Sequence, residues 1–174
     1  MGHKIHVYPH NDLLNLAHYH RQIINDKLSN NNEEALALDC MSCLIAMAFS
    51  VEAFVNFIGK KRVKSWKERR PYNQKISDAC EAVGLHFDKS QEPYTTLWKL
   101  KELRDDLAHG KPEDFSTEAK TREELRGVMS CSWDHHLTSE FVNHAFVMVK
   151  SFQKSALEGG KISLGETLTS ATGR

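Results

Sequence analysis

Apolar residues along this chain recur three and four positions apart, the spacing that gathers side chains on one face of a helix, while the every-second-residue alternation of a half-buried strand is scarce. The pattern predicts an all-α fold, a single up-and-down helical bundle of about five main helices. The first starts near Asn11 or Asp12, just after Pro9, turns Leu13, Leu16, Ala17, Ile23 and Ile24 inward and stops in the polar run at residues 29–32. Asn32 is expected to cap the second, with Glu33 and Glu34 suited to its positive end and Gly59 placed to end it in a left-handed conformation. The third starts around Pro71 and ends at Gly84. The fourth follows Pro93, turns Tyr94, Leu97, Trp98, Leu100, Leu103 and Leu107 inward, and stops at Gly110 with Pro112 beyond. After a polar connection with a further short helix at residues 117–129, the fifth runs from Asp134 or Thr138 to Leu157, and Gly159 and Gly160 end it. Residues 1–158 are thus expected to form the bundle. Residues 159–174, rich in Gly, Ser and Thr, are expected to be a flexible, disordered tail with little to bury.

Residues 40–58 form the longest apolar stretch, close to the roughly 20 residues that cross a bilayer. Glu52 and Asn56 interrupt it and Ser42 and Ser50 dilute it, so it reads as a central core helix rather than a membrane span. A chain of 174 residues can remove roughly 70% of its unfolded surface from water, enough for one core without disulfides. Cys40, Cys43, Cys80 and Cys131 lie in or beside apolar stretches with no secretory leader ahead of them, which points to a reducing cytoplasm.

Formal net charge is zero, but the sum hides a local excess. The run from Lys60 to Lys75 carries Lys60, Lys61, Arg62, Lys64, Lys67, Arg69, Arg70 and Lys75 against the single acid Glu68. Such a run is either a solvated connection or a contact for RNA. Trp66 and Tyr72 would supply ring faces for unpaired bases, with Lys60, Lys61, Arg62, Lys64, Arg69 and Arg70 meeting phosphates.

Several chemistries find no support. Cys40 and Cys43 form a CxxC and ten histidines are present, yet no second CxxC or compact Cys/His set completes a tetrahedral zinc site, so neither metal nor cofactor is expected. There is no Gly-rich phosphate loop and no Gly-x-Ser-x-Gly elbow.

One segment carries chemistry that core packing does not explain. Leu100 to Lys111, LKELRDDLAHGK, puts Arg104, Asp105 and His109 at a helix end. Together with the earlier apolar helix containing Ser50 to Gly59, SVEAFVNFIG, it resembles the Arg-x4-6-His signature of the HEPN superfamily over roughly residues 32–157. The resemblance implies a helical bundle, often dimeric, and metal-independent RNase activity, although inactive members also exist.

The residue types suit that chemistry. RNA can be cut by its own 2′-hydroxyl attacking the adjacent phosphate, which needs a group to move protons and a cation to stabilise the crowded phosphorus centre. Histidine titrates near neutrality and an arginine fork matches phosphate oxygens, so His109 and Arg104 are the candidate catalytic pair. Five residues at about 100° each leave the two roughly 140° apart around an ideal helix. Either fraying at Gly110 brings His109 round or a second copy completes the site; the resemblance favours a homodimer with a shared cleft.

Asp105 reads as an orienting group. Glu52, a carboxylate in an apolar helix, either pairs with Arg104 or reaches solvent at a gap between helices. Asn56, one turn on, is placed to support Arg104 and Asp105 beside it. The expected function is therefore metal-independent endoribonuclease, with a toxin or defence effector, and an antitoxin partner, among the roles open to it. The rival is a non-catalytic HEPN-like module that binds RNA, a nucleotide or a protein partner.

Overall fold

The most apolar stretch of the sequence becomes the central helix. A computed structural model describes residues 2–112, 114 and 116–173; Arg174, the last residue of the expected tail, lies outside the described residues. A short strand β1 (His3–His6) leads into α1 (Pro9–Ser29) and α2 (Leu36–Arg62). The shorter α3 (Tyr72–Ala82) and then α4 (Tyr94–His109) and α5 (Arg122–Val128) follow. The last helix is α6 (Ser139–Gly159), beyond which a 3-10 turn (Leu164–Thr167) precedes β2 (Ser170–Gly173). The protein is an all-helical bundle in which α2 contacts α1, α3, α4 and α6.

Burial on several sides explains why α2 is apolar nearly all round. Cys43, Leu44, Met47, Val51, Phe54 and Ile58 are all but inaccessible, packed with Ile24 of α1, Leu100 of α4 and Val149 of α6. Among the described residues α2 is the one helix long and apolar enough to cross a bilayer, and most of that stretch is buried within the bundle. Cys40 and Cys43 are buried thiols, and burial pushes them up to about 11 and about 12 respectively. The Cys43 thiol donates to the Ala17 carbonyl 3.1 Å away.

Three local expectations are corrected. Asn32 does not cap α2: its side chain accepts from the Glu34 backbone N–H at 2.9 Å in a turn, and the helix enters from Ala35, whose φ is 54°. Gly59 does not end α2, which continues through the good helix formers Lys60, Lys61 and Arg62. Its small size serves packing instead, since a methyl group there would overlap the indole of Trp66. Gly59→Ala is expected to destabilise the protein by about 2 kcal/mol through this overlap, a loss that Trp66→Leu in the same chain should partly restore in urea melts.

The third correction concerns the C-terminal segment, which does fold. Ile162 and Thr167 are buried, and β2 pairs antiparallel with β1 in the register His3↔Gly173 to His6↔Ser170. An isolated four-residue pair would be marginal. Side chains secure this one: the Asn11 carboxamide donates to the Thr167 carbonyl at 2.7 Å, the Tyr8 N–H to Thr169 Oγ1 at 3.1 Å, and Lys61 pairs with Glu166 at 2.7 Å. The glycine- and threonine-rich composition hid this because few large apolar groups take part.

The elements that present the site end where sequence chemistry stops them. Pro71 sits at the N-cap of α3, and Gly84, with φ of 75°, follows its C-cap. Gly110 ends α4 by turning extended (φ −51°, ψ 129°), ahead of Pro112.

Candidate functional site

Two charged residues on otherwise apolar helix faces, Glu52 on α2 and Lys75 on α3, meet where α4 crosses them. The Lys75 ammonium donates to Glu52 Oε1, and Arg104 on α4 donates through Nη1 to Glu52 Oε2. The same guanidinium donates through Nε and Nη2 to Asp105 Oδ1, at 2.9 and 2.6 Å, and Asp105 in turn accepts from Lys101 at 2.8 Å. Five ionisable side chains from three helices thus form one alternating chain of charge.

Burial decides how each member behaves. Lys75 is the most enclosed, its side chain 4% exposed, whereas Glu52 is 27% exposed. Burial pushes the Glu52 carboxyl up, but the hydrogen bonds and charges of Lys75 and Arg104 outweigh that and hold it below the usual carboxylate range. Asp105 shows the same balance: burial raises it, while Lys101 and Arg104 bring it below its ordinary value. For Arg104 burial works against the cation, and Asp105 and Glu52 more than restore it. Tyr72 packs alongside, and burial pushes its phenol up, with the Glu52 charge adding to the effect.

His109 lies elsewhere on the same helix end. It is exposed and lines a hollow of about 750 Å³ with Asp105, Asp106, Lys111, Cys131 and Trp133. Arg104 does not line that hollow, so one chain leaves the two facing different ways, as their spacing on α4 requires. Asp105 belongs to both places: it holds the guanidinium and borders the hollow beside His109.

Asn56 does not join this network. It borders a different hollow, beneath Tyr8 and Phe57, and its buried Oδ1 has no hydrogen-bond partner. The step of four residues along α2 from Glu52 is enough to carry it past α4 toward the N-terminal strand.

The basic run is divided in use. Lys61 pairs with Glu166, Arg62 donates twice to the Gly160 carbonyl at 2.8 and 3.1 Å, and Arg70 pairs with Asp78 at 2.5 Å. Trp66 is half-buried against Gly59, so that ring face is not free for a base. Lys60, Lys64, Lys67 and Arg69 are exposed.

Sequence reasoning missed Lys75 and Trp133. Lys75 closes the basic run in sequence, yet it precedes Ile76 and is spaced four from Ala79, on the inward side of α3. A lysine stranded on an apolar face, with an acid stranded on that of a neighbouring helix, is the signal that could have found the pair. Trp133 sits in an irregular connection, where periodicity carries no information about what it covers.

The class these features define is an all-helical bundle with a partly buried ion network opening, through Asp105, onto a histidine-lined hollow. No protein-family model, no curated protein and no solved structure matches the chain.

Proposed function

We propose that the protein is a metal-independent endoribonuclease of HEPN type, in which two copies of α4 bring two Arg104 and two His109 side chains into one cleft. The observation that carries this reading is the position of Asp105, which holds the guanidinium of Arg104 and itself borders the hollow lined by His109. In the reaction, one histidine takes the proton from the 2′-hydroxyl as it attacks phosphorus. Arginine stabilises the added negative charge, and a second histidine protonates the departing 5′-oxygen, leaving a 2′,3′-cyclic phosphate. Three of the five guanidinium N–H groups are engaged by Glu52 and Asp105, which leaves two to meet phosphate oxygens. A toxin or defence role, in a cytoplasmic setting, fits such an activity.

The same saturation favours a second reading, a binding module that holds RNA, a nucleotide or a protein without turnover, because an arginine already balanced by two carboxylates has less charge to offer a transition state.

The deciding experiment incubates the protein with single-stranded RNA in EDTA. Cleavage is expected, ending in cyclic phosphate and absent where the 2′-hydroxyl has been removed. His109→Ala and Arg104→Lys should each lower the rate at least about 100-fold while helical content and dimer mass persist. Binding without cleavage would install the module reading; cleavage by a strict monomer would remove the shared cleft.

A further inference from the structure

A second hollow, apart from the one beside His109, lies between α1, α6 and the Leu164–Thr167 turn, with a volume of about 1040 Å³, and shares no lining residue with the His109 hollow. Its make-up is two-sided. Leu14, Phe54, Leu157 and Ile162 give it an apolar floor. Lys150, Lys154 and Lys161 are exposed at its edge, and Glu158 is the one acid among its lining residues. Glu158 neutralises little, since its approach to Lys154 is 3.9 Å and both side chains are more than 60% exposed.

Two further observations show that the floor is more than a crease between helices. His10 and Gln153 line it while being only 2% and 8% exposed, and neither the two ring nitrogens of His10 nor the Gln153 amide nitrogen has a hydrogen-bond partner. Burial brings His10 down to about 4, with nearby Asp12 opposing, so the ring is neutral at physiological pH and offers both a donor and an acceptor. At the edge, Val147 and Leu164 are 54% and 74% exposed, apolar surface that an occupant would cover.

We propose that this hollow binds an amphipathic organic anion, with an aliphatic body along Leu157 and Ile162 and the exposed Val147 and Leu164, and a carboxylate or phosphate head among Lys150, Lys154 and Lys161. The lysines select the sign of the head group. The site is independent of the RNase reading, since it uses none of the residues around Arg104 and His109.

The test is titration calorimetry of the full chain with dodecanoate, dodecyl phosphate, dodecanol and inorganic phosphate, each below its aggregation threshold. At least one of the two amphipathic anions is expected to bind, and which one identifies the head group. Dodecanol and inorganic phosphate should each bind at least about tenfold more weakly, and a Lys150→Glu/Lys154→Glu variant should lose at least about tenfold in affinity for the anion. These are exposed lysines, so the variant should melt as the native protein does. Dodecanol binding as tightly as the anions, inorganic phosphate matching them, affinity unchanged in the double variant, or no binding by either anion would each overturn the site.

Discussion

Glu52→Ala is expected to destabilise the protein by about 3 kcal/mol, more than removing either of the cations that Glu52 serves. The reason lies in what is left behind. Without Glu52 the Lys75 side chain, 4% exposed, is left in an enclosed position with no counter-charge. Lys75→Met removes the buried charge together with its partner contact and leaves Glu52 still paired with Arg104, so its cost should be smaller. The double variant Glu52→Ala/Lys75→Met should then recover part of the loss of Glu52→Ala alone. Urea denaturation of the four proteins reads this directly, and equal small losses for both single variants would show that the network contributes no stability. The sign with pH is fixed by the lowered carboxyl: the Glu52 contribution is fully present above its ordinary value of 4.5 and is lost as pH falls from there through the depressed folded value.

The second large effect comes from His10 and runs on a different pH window. Its ring is packed 4.9 Å from that of Phe57 and 5.4 Å from that of Phe54, and burial lowers it from 6.5 to about 4. Between those two values the unfolded chain binds a proton that the folded one refuses. Stability from the neutral ring is therefore intact above pH 6.5 and falls as pH drops toward 4, by roughly 3 kcal/mol in all. His10→Leu should flatten that slope while leaving the Glu52-dependent loss at lower pH in place. A native protein and a His10→Leu variant with parallel stability profiles between pH 4 and 6.5 would show that the ring is protonated in the folded state.

How much of this could be read in advance depended on what kind of signal each feature leaves. The helices are legible because apolar spacing is written over many residues: Leu97, Leu100 and Leu103 of α4 are all buried as their spacing requires. Boundaries are less so, because one glycine can mean opposite things. Gly84 follows α3 with a positive φ, whereas Gly59 lies within α2 to admit Trp66, and both are a small residue after an apolar run. In the candidate site, Glu52 was visible as a carboxylate where carboxylates are costly, and Arg104 as a nearby cation able to meet it. Lys75 was hidden by its neighbours, since a buried lysine at the end of a basic run looks like one more solvated charge. The divergence of Arg104 and His109 was legible because it follows from helix geometry alone. The hollow beneath α6 was not, because its walls come from segments as far apart as His10 and Thr167, which no local pattern relates.

The pairing of β1 with β2 bears on the order in which the molecule assembles. Joining His3 to Gly173 closes a loop of nearly the whole chain, and the entropy of such a closure grows with loop length. The helix pair α1 and α2 needs no comparable search, since a turn of a few residues joins them. The strands are therefore expected to close last, on a bundle already formed, so that removing the Asn11 contact with Thr167 should speed unfolding more than it slows folding.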